Sequence, residues 1–373
     1  MILMKFQSLY PLALRSTIPL RHIRPLPGFR SISRITDQMT ARREDSIPHE
    51  LRTAAEPRQN RLYPVRLSHI EQINPSVRLL QFALPQENND NDQQPFSFLP
   101  GQWLDVHIPS IAQAGGFTIT STPADAQVLP PPEASIDSLA GEALEPSSES
   151  QGRPPYVELA VQDSPGNPSA AWLWRPKEEI IGKELNIRVG GSFVWPPTWV
   201  SINDVKNVVF VAGGVGINPL ISMLSHLINS EPHTPNPTTI RILYSSRLPQ
   251  DREKASADAV LDQILFLPRL RQIVRSQENS HRLRISLDLF LTDLTSSPDL
   301  FSSGSPTDIK THPVRISDSD LRSAALGTDG ELDIQSTVCY VCGPPGMTDS
   351  VVEKLIGMLG EGGEQRVFFE KWW

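Results

Sequence analysis

The sequence predicts a two-domain protein in which a six-stranded antiparallel β-barrel precedes an α/β domain with a parallel sheet. Between Leu62 and Val189, apolar residues alternate with other residues, which is typical of half-buried antiparallel strands. From Asn207 onward, continuous apolar runs alternate with helical patterns, which favours a parallel sheet with right-handed crossovers. The chain has 373 residues, 39% of them hydrophobic, which is enough material for two cores.

The alternation marks at least four strands of the predicted barrel. Its apolar positions are Leu80, Phe82 and Leu84; Leu104, Val106 and Ile108; Val157, Leu159 and Val161; and Leu185, Ile187 and Val189. Between these strands, residues 86–95 and 124–155 are rich in polar residues and proline. Such composition predicts flexible insertions that carry no chemistry.

A glycine-rich turn is the central feature of the second half. The apolar run Val208 to Ala212 stops at GGVG, and a helical pattern with a proline in its first turn follows. Such a turn lets the backbone approach a phosphate and points helix N–H groups at the negative charge. Glycines also serve plain tight turns, so this motif alone is weak evidence. The candidate phosphate-binding residues are Gly213, Gly214, Val215, Gly216, Ile217, Asn218 and Pro219.

A second motif, VCYVCGPPGM, follows about 125 residues later at Val338 to Met347. An apolar strand runs directly into CGPP, and residues 347–359 have the pattern of an amphipathic helix. In open α/β sheets, ligands bind in the crevice at the carboxyl ends of the strands. We therefore expect the two motifs to face one crevice.

Four elements in this order carry a family resemblance: GGFTI at residues 115–119, GGVGINP, CGPPGM and the C-terminal VFFEKWW. Together they resemble the ferredoxin–NADP reductase superfamily, and within it a mitochondrial branch, the oxidoreductase NAD-binding domain-containing proteins. The resemblance covers roughly Leu62 to Trp373. It implies an FAD-binding barrel at residues 55–200, an NAD(P)-binding domain at 201–373, and hydride transfer between nicotinamide and flavin.

The resemblance implies a flavin site on the strand that contains GGFTI. Phe117 matches the family's aromatic residue on the isoalloxazine, Thr118 matches the hydroxyl near its N5, and Ile119 follows them. Gly115 stands where the family has an arginine that binds the flavin phosphate. This departure removes a bidentate phosphate donor. The alternative is an ordinary buried strand.

A turn further along is similar to the family's Gly-x-x-Ser motif, whose helix N-terminus and hydroxyl bind the flavin pyrophosphate. Gly166 and Ser169 match it, and the helical pattern of Ala170 to Leu173 follows. Because only FAD offers a pyrophosphate there, the match favours FAD over FMN. A plain N-cap explains Ser169 equally well without any ligand.

The resemblance also assigns the nicotinamide end of the site. Cys342, Gly343, Pro344 and Pro345 are expected to approach the nicotinamide, with Cys342 in a positioning role. A small buried strand residue is the plain alternative for Cys342.

The C-terminus is the last part of that site. Trp373, together with Trp372, is expected to cover the flavin face, and Glu370 to lie near the reacting atoms, so that the expected catalytic residues are Thr118, Cys342 and Glu370. A tail that merely docks on the barrel explains the tryptophans as well.

The choice between NADH and NADPH depends on the loop after the second strand. Arg247, with Arg252 or Lys254, is placed to pair with a 2′-phosphate. Exposed arginines are common in loops, and the branch that the chain resembles favours NADH.

Residues 1–43 differ from the rest of the chain. They contain eight Lys or Arg residues and one acidic residue, Asp37. This is the composition of a mitochondrial presequence, and it predicts a location in the matrix. A disordered basic tail is the alternative.

The remaining composition excludes several function classes. The whole chain carries a net charge of −8 despite this basic segment, which argues against binding to a nucleic-acid backbone. No apolar run approaches 18 residues, so a membrane-spanning helix is not expected. The two cysteines, Cys339 and Cys342, point to opposite faces of a strand, which excludes a disulfide, a shared metal site and an iron–sulfur cluster within the chain. Single electrons would therefore pass to a separate redox partner protein.

Two hypotheses follow from the sequence. The first is a mitochondrial FAD-dependent NAD(P)H oxidoreductase with an unknown acceptor. The second is a nucleotide-binding protein of the same fold that lost turnover and acts as a sensor or assembly partner; Gly115 favours it, whereas the intact GGVGINP and CGPP motifs favour the first.

Overall fold

The computed structural model describes residues 48–85, 95–128, 153–229, 239–248, 257–278, 283–292, 309–327, 330 and 332–372. Several sequence predictions lie outside these residues. They are the targeting segment 1–43, nearly all of the insertion 86–95, the central part of the insertion 124–155, and Arg252, Lys254 and Trp373.

The first half of the chain forms a six-stranded antiparallel sheet in the order β4-β3-β6-β1-β2-β5. Its strands are β1 Tyr63–Asn74, β2 Val77–Ala83, β3 Trp103–His107, β4 Gly115–Thr118, β5 Tyr156–Gln162 and β6 Glu184–Gly190. Directly after β4, Ile119 pairs with Leu159 of β5, so the two edges of the sheet meet. The alternating apolar residues of the sequence lie buried inside this closed sheet.

The second half forms a six-stranded parallel sheet in the order β10-β9-β8-β7-β11-β12. Its strands are β7 Asn207–Gly213, β8 Thr239–Ser246, β9 Arg284–Leu291, β10 Lys310–His312, β11 Thr337–Gly343 and β12 Val367–Lys371. The predicted fold class is confirmed. Two short edge strands were not predicted from the sequence: β10, and β12, which lies in the C-terminal tail.

Helices pack on both faces of the parallel sheet. They are α4 Ile217–Asn229, α5 Ala257–Leu261, α6 Leu267–Gln277, α7 Asp318–Leu326 and α8 Pro345–Leu359. Pro268 lies in the first turn of α6, where the helix has no backbone bond for it to remove, so α5 and α6 are separate helices. The two cysteines point to opposite faces: Cys342 packs with α4 in one apolar cluster and Cys339 packs with α7 and α8 in the other.

Three short helices belong to the first half: α1 His49–Arg52, α2 Pro168–Leu173 and α3 Lys177–Ile180. The segment Pro48–Gln59, here called the N-terminal arm, contains α1 and runs across the outside of the barrel. Arg58 pairs with Gly190 of β6, and the amide of Gln59 donates to the carbonyl of Val189 over 2.9 Å. The arm begins before residue 55, where the sequence predicts the start of the barrel domain.

Helix α4 joins the parallel sheet to the barrel. The Asn218 amide donates to the carbonyl of Ala160 over 3.1 Å, and the Ser222 hydroxyl donates to the carbonyl of Ser121 over 2.6 Å. These two donors are four residues apart and therefore lie on the same face of the helix. The turn that opens α4 is thereby fixed relative to the end of β4.

Candidate active site

The two glycine motifs lie against each other at the carboxyl ends of β7 and β11. A Cβ atom on Gly216 would collide with the carbonyl group of Cys342 and would lie 2.7 Å from the amide nitrogen of Gly343. A Cβ on Gly213 would lie 2.9 Å from Cδ of Pro344. The backbones approach this closely because the glycines carry no side chain. The expected common crevice is present.

The outer side of this paired motif is open. Gly214 has a φ of +55°, which favours glycine, and nothing lies within 4 Å of the position of its Cβ. Pro344 is exposed, Pro345 is half-buried, and the space beside Gly346 is also empty. Helix α4 begins directly after the turn, at Ile217, and Pro219 is buried in its first turn. An open turn at a helix N-terminus suits a dinucleotide pyrophosphate.

The predicted catalytic residues Cys342 and Glu370 are neighbours across β11 and β12. The indole of Trp372 donates to Oε2 of Glu370 over 3.1 Å, and its backbone amide donates to the carbonyl of Gly343. Burial, with an added contribution from the charge of Glu370, raises the pKa of the Cys342 thiol well above its usual range. The thiol is therefore neutral at pH 7 and is no nucleophile.

Glu370 is a carboxylic acid that keeps its proton at neutral pH. Burial raises the pKa of its carboxyl to about 8, because the bond from Trp372 offsets only part of the cost and the charge of Glu56 adds to it. Glu370 lines a cleft of about 310 Å³. The cleft lies between the arm and the end of β12, and its walls are His49, Arg52, Thr53, Glu56, Trp103 and Phe369–Trp372.

The predicted flavin strand β4 presents its residues to two sides. Phe117 is 8% exposed and packs in the barrel core, as does Ile119. Thr118 lies opposite Trp103 of β3, and its hydroxyl is buried without a hydrogen-bond partner. A buried hydroxyl without a partner is costly, so this atom is a candidate for contact with a ligand. Thr118 therefore shares a strand pair with a wall of the cleft.

The place of the family's phosphate-binding arginine is filled. A Cβ on Gly115 would lie 2.5 Å from Cβ of Ser169 and 2.6 Å from the Phe117 ring. Ser169 is buried against Gly115, and its hydroxyl lies 3.4 Å from the carbonyl of Gln113. The interpretation of Ser169 as an N-cap is wrong, because Asn167 caps α2 by accepting from the amides of Ser169 and Ala170.

The other predicted binding residues are dispersed. Gly166 is exposed, with nothing within 4 Å of its Cβ position. Arg247 is exposed after β8. Val215 is half-buried in the turn. The Asn218 side chain is directed at Ala160 in the barrel, which is a role that the sequence did not predict.

A buried ionic cluster beside the cleft was missed. Asp105 of β3 is fully buried, and its Oδ2 accepts from Arg58 of the arm over 3.0 Å and from Arg188 of β6 over 2.6 Å. His49 Nε2 lies 3.2 Å from Asp105 Oδ1. Burial raises the pKa of Asp105, but His49, Arg188 and Arg58 outweigh it and bring the value to about 2.

The period-two pattern hid this cluster, because Asp105 lies between Leu104 and Val106 and so has the position of a solvent-facing residue. The outside of the barrel is covered there by the arm. The available signal was an acidic residue in a short strand directly between the apolar residues Leu104 and Val106, with Trp103 beside them.

These observations test the fit of the implied cofactors. The open turn, the contact of the two motifs and the helix N-terminus fit a nicotinamide dinucleotide. For a flavin, the unpartnered Thr118 hydroxyl fits the ring. For the phosphates, Gly115 offers no guanidinium at the family's arginine position, and the Asn167 side chain already accepts from amides at the N-terminus of α2.

Comparison with curated proteins gives relatives along almost the full chain. The Danio rerio protein named "Oxidoreductase NAD-binding domain-containing protein 1" is 29% identical over 341 residues, covering 90% of this chain and 100% of the relative. Its Homo sapiens namesake is 27% identical, covering 91% and 88%. The predicted resemblance is confirmed. The reductase component of propane 2-monooxygenase from Rhodococcus jostii is 26% identical over 74% of this chain and 56% of its own length. No protein-family model matches the chain.

Solved structures share the fold. A ferredoxin NADP+ reductase from Neisseria gonorrhoeae, determined with bound FAD and NADP, superposes with a TM-score of 0.52 at 13% identity over 84% of this chain and 99% of that one. The cytochrome b5 reductase domain of Ulva prolifera nitrate reductase gives 0.51 at 16% identity over 83% and 97%. At these identities the likeness concerns the two-domain fold alone.

Two further properties bear on function. Within the part of the chain that the structure describes, no helix combines the length and apolarity needed to cross a membrane. Across the same residues, no three His, Cys, Asp or Glu side chains come together in a group that suits a metal ion.

Proposed function

We propose that the chain is an NAD(P)H-dependent flavin oxidoreductase that transfers a hydride between the nicotinamide and FAD and passes electrons to an acceptor. The observation that supports it best is the contact between the two glycine motifs, which places an open helix N-terminus next to Cys342 and Glu370. The names of the relatives and the shared fold agree with it.

The residues of this chain provide position and a proton rather than covalent chemistry. Hydride transfer requires the two reacting rings about 3 to 3.5 Å apart in a site that excludes water. The flavin supplies the hydride acceptor when bound. The glycine turn binds the dinucleotide phosphates, neutral Cys342 supports the nicotinamide end, and Glu370 carries a proton at its carboxyl oxygen next to the cleft.

The acceptor, the nucleotide and the location are further parts of the proposal. We take NADH as the preferred nucleotide, as in the branch that the chain resembles. We propose that electrons leave to a separate redox partner. The basic segment 1–43 directs the protein to the mitochondrial matrix. A fusion of these residues to a fluorescent protein tests the location, and a diffuse cytosolic signal would contradict it.

A second candidate is a nucleotide-binding protein without turnover, which acts as a sensor or assembly partner. The observation that favours it is the filled position beside Gly115, where Ser169 and Phe117 occupy the space of the family arginine. The open glycine turn still suits a nicotinamide nucleotide in this case.

Visible absorption separates the two candidates. Purified full-length protein is mixed with FAD, freed of unbound flavin, and treated without oxygen with NADH and then, in a second sample, with NADPH. The reductase proposal predicts bound flavin bands that bleach faster with NADH. Absence of bound flavin at tens of micromolar, with nicotinamide nucleotide still bound, would leave the second candidate.

A further inference from the structure

We propose that the N-terminal arm is a structural wall of the reductase cleft, and that His49 is the positioning residue that fixes the arm so that Glu56 faces Glu370. The inference rests on the proposed function only where it calls the cleft part of a reductase. The geometric part concerns residues that line one cleft, and it includes residues to which the family resemblance assigns no role.

The arm docks into a slot that this sequence creates. Gly116 lies in β4 beneath the arm, and a Cβ at this position would collide with the imidazole ring of His49. His49 is buried and packs edge-on against Trp103, with ring centroids 4.6 Å apart. Gly115, which stands in place of the family arginine, therefore accommodates Ser169, and the neighbouring Gly116 accommodates the arm.

The arm supplies partners for the buried carboxylate of Asp105 in the barrel. Two of the three partners of Asp105, His49 and Arg58, belong to the arm, and the third is Arg188. The Arg58 guanidinium also lies over the Trp103 ring, 4.8 Å from its centroid. A buried carboxylate that loses two of three partners is strongly destabilised. The arm is thus part of the folded barrel and is no loose extension of the preceding segment.

The docked arm brings a carboxylate to the cleft. Oε2 of Glu56 accepts from the hydroxyl of Ser192 over 2.6 Å and from its amide over 3.1 Å, which fixes Glu56 at the turn after β6. Glu56 and Glu370 line the same cleft, and the charge of Glu56 adds to the burial that raises the pKa of Glu370. The arm therefore helps to keep the proton on Glu370.

Other charged groups face the same space and enter the prediction. The arm also contributes His49 and Arg52, and β12 contributes Lys371. Lys371 is paired with Asp349 of α8 at 2.6 Å, and the thiol of Cys342 lies on β11 beside Glu370. The His49 ring is directed at the barrel, because its Nε2 lies 3.2 Å from Oδ1 of Asp105. Glu56 is the carboxylate that the arm adds beside Glu370.

Hydrogen exchange on the full-length protein without cofactor tests the docking. The amides of the arm, and that of Gln59 in particular, are expected to be protected, and Gly116→Ala and His49→Ala are each expected to accelerate their exchange at least about tenfold. Gly357→Ala is the matched control, because the space beside this exposed glycine of α8 is empty, and its arm should exchange like the wild type. Arm amides that exchange like an unstructured chain in the wild type, or stay protected in His49→Ala, would overturn the proposal.

A carboxyl titration tests the consequence and also works if Gly116→Ala fails to fold. Glu56→Gln keeps an oxygen acceptor for Ser192 but removes the charge. The carbon-13 resonance of the Glu370 carboxyl, assigned with Glu370→Gln, should then titrate at lower pH than in the wild type. An unchanged midpoint would contradict the role of Glu56. Both experiments need no turnover, so a protein that lacks reductase activity still answers them.

Discussion

The two predicted cofactor regions of this molecule differ in how closely they follow their family pattern. In the nucleotide domain, GGVGINP and CGPP pack backbone against backbone and leave Gly214 open to solvent. In the barrel, the matching strand has lost the arginine, and Ser169 and His49 occupy the space on its two sides. One region has open space beside its glycine turn, and in the other the corresponding space is filled by packed side chains.

This difference shows what a glycine can mean. At Gly216 and Gly343, glycine allows two backbones to approach, and the exposed turn beside them stays free for a ligand. At Gly115 and Gly116, glycine makes room for side chains that come from remote parts of the chain. The same residue type thus lies in a candidate binding site in one domain and in a docking slot in the other.

The largest expected effect comes from the arm side of the barrel. Asp105→Ala leaves Arg58 and Arg188 without their buried carboxylate, and it should lower the free energy of unfolding by about 3 to 5 kcal/mol in urea denaturation. Asp163→Ala, at an exposed site after β5, is the control and should change it by less than about 0.5 kcal/mol. Equal stability of the two variants would refute the cluster.

The same cluster predicts that the protein loses stability at acid pH. Because the pKa of Asp105 is lowered to about 2, its contribution is complete above pH 4 and is lost as the pH falls through 2. Its size is about 2 kcal/mol. The Asp105→Asn variant, measured by urea denaturation between about pH 2 and pH 5, should lack this part of the acid dependence.

The next effect tests the nucleotide side. Gly216→Ala drives a methyl group into the carbonyl of Cys342 and should cost about 1 to 3 kcal/mol of stability. It should also weaken NADH binding at least about tenfold in calorimetric titration, since the turn must shift. Gly357→Ala should leave NADH binding unchanged. A Gly216→Ala variant that binds NADH like the wild type would show that the close contact between Gly216 and Cys342 is not needed for nucleotide binding.

Gly115→Arg restores the family residue and so sharpens the comparison. The side chain has no room beside Ser169 and Phe117, so the variant should lose about 1 to 3 kcal/mol of stability and gain no affinity for FAD. Fluorescence titration with FAD measures the affinity. A clear gain in FAD affinity would mean that the phosphate site is latent rather than closed.

Glu370 predicts a pH effect of opposite sign to that of Asp105. Its pKa rises from 4.5 to about 8 in the fold, so stability is lost as the pH increases through this range. Glu370→Gln resembles the protonated form and should remove that loss when urea midpoints are compared at about pH 5 and about pH 9. A wild-type protein whose stability is flat across the range would contradict the raised pKa of Glu370.

The smallest effect concerns the joint between the domains. Asn218→Leu removes the bond to Ala160 and should cost about 1 kcal/mol. Urea denaturation and NADH titration are measured together. A tenfold loss of NADH affinity at unchanged stability would show that the side chain serves the phosphate instead, as the family pattern implies.

Patterns that are local in sequence predicted most of the fold. Period-two alternation located four of the six barrel strands, β2, β3, β5 and β6, and buried apolar runs located β7 and β11, because burial of one or both faces dictates residue choice directly. The contact of GGVG with CGPP was also predictable, since parallel strands end at one edge. The short edge strands β10 and β12 lack such a pattern.

Contacts that individual side chains make between distant segments were not predictable. The arm over Gly116, the cluster at Asp105 and the bond of Asn218 to the barrel each join residues that are tens of positions apart. Single residues such as His49 carry no signal of their partner. The sequence therefore indicated which residues of the barrel depart from the family but not what replaces the missing arginine.

One measurement tests the contrast between the two regions most directly: equilibrium titration of the full-length protein with NADH, FAD and riboflavin. We predict measurable binding of NADH, and affinities for FAD and riboflavin within about tenfold of each other, which is about 1.4 kcal/mol. The reason is that the Thr118 hydroxyl is a candidate contact for the flavin ring, whereas the position of the family's phosphate-binding arginine is filled. FAD bound at least about a hundredfold more tightly than riboflavin, or no binding of NADH, would contradict this account.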